Sequence, residues 1–286
     1  MSASDIPPNP PKLVSVHGGH SGEFCNHARD TLKAIVQAYI EKGFAWVGIT
    51  EHIPPVSDRF LYPEEIEAGL DAAAMYGRFR RYIVACRRLQ ETYAPRLRIF
   101  VGFETEMVTG YEAHVRELVQ TFQPDYMVGS LHHVNDLPFD LSEAHYRRAA
   151  AAVGGIEALY CRYFDQQAEM LEVLRPQVVG HFDYIRLFDP HYPARLQRPE
   201  IWARVRRNLA RIKELGLMLD YNVYALRKGS REPFVSAPIL EEALALGIPL
   251  APGDDSHGLD SVGLNVAEAI RRLQAAGADT RWRLPA

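Results

Sequence analysis

Short runs of apolar residues alternate along this chain with longer stretches in which apolar positions recur every three to four residues. The first pattern predicts buried parallel strands, and the second predicts amphipathic helices that cover them. We place strands at 13–16, 46–50, 98–104, 126–130, 177–181, 217–222 and 248–251. We place helices at 30–42, 76–93, 111–122, 156–175, 201–215 and 237–246. The alternation predicts an α/β fold in which about seven strand–helix units form one mostly parallel sheet.

Two longer insertions interrupt this alternation, at 53–75 and 134–155, and we expect loops or short helices there that cover a functional site. The first residues are polar and proline-rich, so we predict a flexible tail at 1–12 and a single domain at 13–286. With 286 residues, 47% of them hydrophobic, the chain is long enough for one barrel-sized domain with a large core.

Charge and cysteine content argue against several classes of function. The formal net charge of -4 offers no basic surface for a nucleic-acid polymer or an anionic membrane. No apolar stretch is long enough to span a bilayer, and the first residues do not resemble a signal peptide, so we expect a soluble, cytoplasmic protein. The 3 cysteines are widely spaced, which favours reduced thiols over disulfides or a zinc finger.

Most of the 11 histidines lie where an apolar run ends, in HGGHSGEFCNH, GITEH, VGSLHH, VVGHFD and PGDDSH, and the run RIFVGFE ends at a glutamate. Imidazole and carboxylate groups bind divalent metals, and (β/α) barrels form their sites at the carboxyl ends of strands. Taken alone, each such residue is more simply a loop or capping residue. Because at least six strand ends carry one, we interpret the set as a metal site.

Basic residues follow two later strands, with Arg186 in HFDYIR, and Arg227, Lys228 and Arg231 in YNVYALRKGSRE. A guanidinium can hold a phosphate through two parallel hydrogen bonds, so arginines beside a metal site point to a phosphoryl group. A solvated basic loop explains these residues equally well. The sequence lacks the GxGxxG, Walker A, GxSxG and HExxH motifs, which leaves dinucleotide binding, ATP hydrolysis and serine hydrolysis without support.

The ordered segments HSGEFCNHA, GITEH, GFE, GSLHHV, GHFDYIRL, ALRKG and GDDSHG resemble the PHP (polymerase and histidinol phosphatase) superfamily, most closely its monofunctional histidinol-phosphate phosphatases. The resemblance extends from His17 to Gly263, nearly the whole chain. It implies a distorted (β/α)7 barrel with a trinuclear metal cluster at the C-terminal ends of the strands, in agreement with the seven predicted strands. It also implies the hydrolysis of phosphomonoesters, with L-histidinol phosphate of histidine biosynthesis as the substrate.

The resemblance further implies which residues form the site. The positions that match metal ligands of the family are His20, His27, His52, Glu104, His132, His181, Asp255 and His257. Arg186 and Arg227 match positions that hold the substrate phosphate. The family begins with His-x-His, whereas this chain has Gly18 at the first position, so that ligand is missing or is supplied by His17. We favour His17, because two adjacent glycines give the backbone the freedom to bring it round. A family glutamate is Asp220 here, and its role stays open.

With two or three divalent ions of zinc, manganese or iron, such a site would act through a hydroxide that bridges two metals and attacks phosphorus. Arg186 and Arg227 would stabilise charge on the phosphoryl oxygens. Asp255, a nearby histidine such as His257, or a metal-bound water would protonate the leaving alcohol. These four side chains are the predicted catalytic residues.

The expected partner is a small-molecule phosphomonoester, and the sequence does not indicate an oligomeric state. Asp183 and Glu23 are candidates for binding the amine and imidazole of histidinol phosphate, or for orienting metal-bound histidines. Two alternatives stay open. One is a PHP-family phosphoesterase that acts on a nucleotide or another small phosphomonoester. The other is a degenerate, non-catalytic PHP domain, which the glycine at position 18 motivates.

Overall fold

Seven parallel strands form one strongly curved sheet in the computed structural model, which describes residues 10–286. The strands of these residues are β1 (Val14–Ser15), β2 (Trp46–His52), β3 (Arg98–Glu104), β4 (Tyr126–Gly129), β5 (His133–Val134), β6 (Leu137–Pro138), β7 (Val178–Val179), β8 (Met218–Asn222) and β9 (Leu250–Gly253). The sheet has the order β1-β2-β3-β4-β7-β8-β9, while β5 and β6 form a short antiparallel hairpin. The backbone N–H of Val16 donates to the carbonyl oxygen of Pro252 at 2.9 Å, which joins the last strand to the first. The predicted distorted (β/α)7 barrel is therefore confirmed.

Helices cover the outside of the barrel. Those of the described residues are α1 (Leu32–Glu41), α2 (Pro63–Glu67), α3 (Ala72–Tyr93), α4 (Tyr111–Phe122), α5 (Glu143–Val153), α6 (Ile156–Val173), α7 (Tyr192–Leu196), α8 (Pro199–Leu215), α9 (Tyr224–Arg227), α10 (Ala237–Ala245) and α11 (Val266–Ala275). Within residues 10–286, none of them has the length and apolar character needed to cross a membrane. Residues 1–9 of the predicted tail lie outside the described residues, and residues 10–12 have no regular secondary structure.

All seven predicted strands and all six predicted helices are present. The largest shift at a helix start is in α3, which begins before the predicted residue 76 because the Asp71 carboxylate caps it by accepting from the N–H of Ala74 at 2.7 Å. The prediction omits α11, although its buried positions follow helical spacing. The insertions at 53–75 and 134–155 contain α2 and α5, which agrees with the expectation of short helices there.

The inner face of the barrel changes from apolar to polar along β2 and β3. Residues two apart on a strand share a face, so Trp46 at the start of β2 lies on the same side as His52 at its end. In β3, Phe100 and Glu104 have the same relation. Trp46 and Phe100 pack with other side chains from the amino-terminal parts of the strands into one apolar cluster. The polar residues at the carboxyl ends therefore converge above a closed apolar floor.

Tyr126 fills the middle of this interior. A Cβ at Gly48 would lie 1.7 Å from the Tyr126 hydroxyl oxygen, and a Cβ at Gly102 would lie 2.9 Å from the edge of its ring. The Tyr126 hydroxyl crosses the barrel and donates to the carbonyl oxygen of Val16 at 2.5 Å. The two glycines thus leave space for a ring that supports the floor of the polar end.

Candidate metal centre

Glu104, the last residue of β3, lies at the centre of a ring of imidazoles. The carboxylate is 2% exposed, and burial of an ionised carboxylate is costly unless cations or donors compensate for it. The ring nitrogens that face its two oxygens are His181 Nε2 at 2.8 Å, His52 Nδ1 at 3.0 Å, His132 Nε2 at 3.1 Å and His17 Nε2 at 3.4 Å. One carboxylate with four imidazoles around it is an arrangement suited to bridging two metal ions.

Asp255 forms a second point of convergence, after the end of β9. Its Oδ1 lies 3.3 Å from His20 Nε2 and 4.0 Å from His17 Nε2. The His20 ring stacks on the His257 ring with centroids 4.3 Å apart, and His27 Nε2 lies 3.2 Å from His52 Nε2. The structure therefore brings all nine predicted ligands into one group, which we call the cluster: His17, His20, His27, His52, Glu104, His132, His181, Asp255 and His257.

The donor atoms of the cluster fit divalent cations. Several subsets place one ligand atom per residue within 4.8 Å of each other, among them His17, His20 and Glu104. His17 Nε2 and both ring nitrogens of His20 are buried and have no hydrogen bond of normal geometry to the described residues. Buried polar atoms without partners are rare in folded proteins, and imidazole nitrogens grouped with carboxylates are typical metal donors.

Carboxylates outside the cluster hold three of its rings through their second nitrogen. Asp220 lies 2.9 Å from His17 Nδ1, Asp140 lies 2.8 Å from His132 Nδ1, and Glu64 lies 3.1 Å from His27 Nδ1. Such contacts fix the ring orientation and raise the basicity of the nitrogen that faces a metal. The sequence reading left the role of Asp220 open and missed Asp140 and Glu64. The only sequence feature that points to Asp140 and Glu64 is their position in the two insertions that were expected to cover the site.

Charge within the cluster is strongly coupled. Burial alone would raise the pKa of Glu104, but His17, His132 and His52 hold that pKa well below its usual range. Burial also opposes ionisation of Asp255, and His17 and His20 again hold its pKa well below normal. For His52, burial and the neighbouring His20 lower the pKa to about 4. The carboxylates are therefore ionised and His52 is neutral near pH 7, which are the forms that bind metal.

Two cluster residues have strained backbone conformations. His181 and Asp255 have positive φ angles of 21° and 46°, in a region that favours glycine. The N–H of Asp255 donates to the carbonyl oxygen of His17 at 2.9 Å, and this bond holds the two strand ends together. Such strain persists only where the surrounding structure enforces it, and it occurs preferentially at functional sites.

Position 18 has no space for a side chain. A Cβ on Gly18 would lie 2.3 Å from Asp254 Oδ1 and 2.8 Å from the Tyr39 hydroxyl oxygen. Asp254 is itself fixed, because it accepts from the hydroxyls of Tyr39 at 2.8 Å and Ser15 at 2.6 Å. Here the side chain that reaches the cluster is the preceding one, His17, which is fully buried.

The predicted arginines are not part of the cluster. Arg186 is buried, and its guanidinium donates to Asp183 Oδ2 at 3.0 Å, Ser230 Oγ at 3.0 Å and the Pro233 carbonyl oxygen at 2.6 Å. These contacts give it a structural role and do not support the prediction that it binds phosphate. Arg227 lies at the exposed end of α9.

The cluster opens into a cavity of about 360 Å³, a size that suits a small molecule. Lys228, the residue directly after α9, contributes a basic side chain to the lining of this cavity. The walls also include three tyrosines, Tyr62, Tyr184 and Tyr224, and the carboxylates of Glu64 and Asp140. Lys228 Nζ lies 5.0 Å from the centre of the Tyr224 ring, a cation–π distance.

The two acidic residues that were considered for substrate binding have other partners. Glu23 Oε2 accepts from the N–H of Leu32 at 2.7 Å, at the beginning of α1. Asp183 is fully buried and, besides Arg186, accepts from the N–H of Ser236 at 3.1 Å. Neither residue lines the cavity above the cluster.

The fold and the cluster define a barrel protein with a candidate multinuclear metal centre, and comparison with known proteins identifies its class. A model of the PHP domain matches residues 18–223 of the chain. Because this span is well over half of the sequence, the chain belongs to the PHP domain family.

Individual proteins similar to this chain carry the name histidinol phosphatase. The Schizosaccharomyces pombe protein named "Probable histidinol-phosphatase" is 34% identical over 92% of this chain and 87% of its own length. A structure from Listeria monocytogenes, provisionally named a histidinol phosphatase, has a TM-score of 0.79 at 25% identity and covers 89% of this chain and 99% of that one. A histidinol phosphate phosphatase from Lactococcus lactis, solved with zinc, L-histidinol and phosphate, has a TM-score of 0.71 at 19% identity. It covers 94% of this chain and 95% of that one, and at this identity it shows the shared fold.

Proposed function

We propose that this protein is a metal-dependent phosphomonoesterase that hydrolyses L-histidinol phosphate to L-histidinol and phosphate in the cytoplasm. The observation that carries the proposal is the position of Glu104, a buried carboxylate with four imidazoles around it at the carboxyl ends of the barrel strands. The activity named for the Schizosaccharomyces pombe relative supports the choice of substrate. The proposal treats residues 13–286 as one barrel domain.

The cluster would hold two or three divalent ions of zinc, manganese or iron, with Glu104 among the residues that would bind them. When bound, such ions supply Lewis acidity that activates water near neutral pH and offsets charge on the phosphoryl oxygens. We assign His17 as the ligand that takes the place of the family histidine absent at Gly18. Its support is the burial of its ring, its approach to Glu104 and the orientation imposed by Asp220.

The chain's own side chains would bind and orient the substrate. Lys228 lines the cavity and Arg227 lies next to it, so α9 brings positive charge to the side from which a phosphate would enter. An ammonium and a guanidinium can each donate to phosphoryl oxygens, the guanidinium in a bidentate manner. The rings of Tyr184 and Tyr224 offer apolar faces for an imidazole, and Glu64 offers a carboxylate for the amine.

Asp255 and His257 are the two side chains predicted to protonate the leaving alcohol. The low pKa of Asp255 keeps this carboxylate ionised, which suits a ligand and does not suit a proton donor. His257 lines the cavity, and its Nδ1 lies 2.9 Å from the carbonyl oxygen of Asp255, which orients the ring. Burial and the neighbouring His20 lower the pKa of His257 well below its usual value, so this ring is neutral near pH 7 and suits a ligand in the same way. We therefore assign Asp255 and His257 to metal binding, and the leaving alcohol would take its proton from water.

The test is a phosphate-release assay on protein stripped with a chelator and reloaded separately with zinc, manganese or iron. The panel contains L-histidinol phosphate, adenosine monophosphate and p-nitrophenyl phosphate. We expect the highest kcat/KM on L-histidinol phosphate and background rates in Glu104→Gln. A preference for the nucleotide would support a PHP phosphoesterase of different specificity. Metal uptake without release of phosphate from any compound would support a non-catalytic PHP domain.

A further inference from the structure

Cys25 lies beside one edge of the cluster, in the loop between β1 and α1. Its side chain is 4% exposed, and the loop holds it in place through the Cys25 N–H, which donates to the carbonyl oxygen of Ser21 at 2.8 Å. Its sulfur lies within 4.8 Å of one ring nitrogen from each of three histidines, and these three nitrogens also lie within 4.8 Å of one another. The residues of this group, which we call the thiol site, are Cys25, His27, His52 and His257.

The spacing of the histidine nitrogens points to a shared ligand. Two nitrogens that each lie about 2.0–2.1 Å from a tetrahedral zinc ion are about 3.3–3.4 Å apart. His27 Nε2 and His52 Nε2 are 3.2 Å apart in this structure. The other nitrogens of the two rings are directed elsewhere, that of His27 to Glu64 at 3.1 Å and that of His52 to Glu104 at 3.0 Å. The two Nε2 atoms therefore face the same small space.

We infer that the Cys25 thiolate is a fourth protein ligand of the metal ion held by His27, His52 and His257. This inference rests on the proposed metal centre and adds a ligand to it. Three imidazoles are neutral donors, so a thiolate would be the one negatively charged member of this ligand set. A CysHis3 donor set is complete for tetrahedral zinc, and its sulfur favours zinc and cobalt over manganese.

The binding step is a proton exchange without redox change. The Cys25 thiol loses its proton to solvent as the sulfur forms a bond to the divalent ion, so the charge of the protein ligands falls by one and the loaded site gains one positive charge in total. The ion at this position would then be the most tightly held of the cluster and the least able to accept a phosphate oxygen. The hydrolytic reaction would depend on the ions at Glu104 and Asp255.

Cobalt(II) substitution tests the inference directly. Thiolate ligands give cobalt(II) an intense charge-transfer band in the near ultraviolet, whereas nitrogen and oxygen ligands give only weak visible bands. We expect the cobalt-loaded full-length protein to show the charge-transfer band and Cys25→Ser to lose it. Cys161→Ser should keep it, because Cys161 lies on α6, away from the cluster. Zinc affinity at one site should fall by about 10-fold or more in Cys25→Ser.

A thiol-reagent titration gives a second readout that does not depend on the variant's folding. In wild-type protein, we expect zinc to protect one thiol that reacts in the metal-free form, while Cys161 reacts in both forms. Weak visible bands without the charge-transfer band, together with a Cys25 thiol that reacts equally with and without zinc, would overturn the thiolate ligand and leave the metal centre standing. Failure of the wild-type protein to bind cobalt or zinc would overturn the metal centre itself.

Discussion

Replacement of His17 by alanine is the sharpest test of how this chain builds its metal centre. The imidazole is fully buried between Asp220 at 2.9 Å and Glu104 at 3.4 Å, so the substitution would remove one donor of the proposed centre. Loss of a residue that only orients a ligand costs about 10-fold to 100-fold in metal affinity. We therefore expect at least about 100-fold weaker binding at one site in His17→Ala, which is about 2.7 kcal/mol.

Graded variants give this prediction its controls. Asp220→Asn keeps the ring but weakens its orientation, so its loss of affinity should be smaller than that of His17→Ala. His191→Ala should be silent, because His191 is exposed at the beginning of α7. Competition with a chromophoric chelator measures metal affinity, and phosphate release measures turnover. Metal content and turnover like those of the wild type in a folded His17→Ala protein would mean that the centre forms without this residue.

Restoring the family residue should not rescue the variant. In His17→Ala with Gly18→His, the new Cβ would lie 2.3 Å from Asp254 Oδ1, and Asp254 is held by buried hydroxyls. We expect Gly18→His to lower the free energy of unfolding by about 1–3 kcal/mol, as overpacking does in a tight interior. Urea unfolding measures this cost. Recovery of metal binding and turnover by the double variant would refute the steric argument.

Three further predictions concern the cavity wall, a buried ion pair and the charged groups of the cluster. Lys228→Ala should lower kcat/KM for L-histidinol phosphate by about 10-fold or more without loss of metal, and equal kinetics would exclude it from phosphate binding. Arg186→Ala should lower the free energy of unfolding by about 3–5 kcal/mol in urea, because it leaves Asp183 buried without its cation. The third prediction concerns the pH dependence of the metal-free protein. The lowered pKa of Glu104 stabilises the fold above about pH 4, and the raised pKa of His132 stabilises it below about pH 6.5. The melting temperature should therefore be highest between these two pH values and should fall towards pH 8.

The convergence of the proposed ligands could be predicted because two simple rules act together. Apolar runs mark the strands, and a parallel barrel brings the carboxyl ends of its strands to one end. His52, Glu104 and His181 were therefore placed correctly relative to one another by their position along the chain. The 3.0 Å approach of His52 Nδ1 to Glu104 follows from the strand register, which pairs these two residues directly.

The basic side chains around the cavity could not be placed in the same way. Arg186 and Lys228 both lie after strand ends, and sequence position does not show which side chain turns inward. Arg186 turns away because Asp183, three residues before it, offers a buried carboxylate. The long-range acceptors of Arg186 come from 230–233, and such pairings depend on tertiary packing that has no local signature. Asp140 and Glu64 escaped prediction for the same reason, since they lie on insertions without periodic pattern.

The direct pairing of His52 with Glu104 also bears on how the chain reaches its native state. Successive side chains of a strand point to opposite faces, so a slip of one residue between β2 and β3 would turn one of these ligands out of the barrel. A chain trapped in the wrong alignment would then lack one donor of the proposed centre and would hold an ion less tightly. Because an ion that binds only the native form lowers the free energy of that form alone, metal availability during synthesis would select correctly aligned barrels and leave misaligned ones to unfold again.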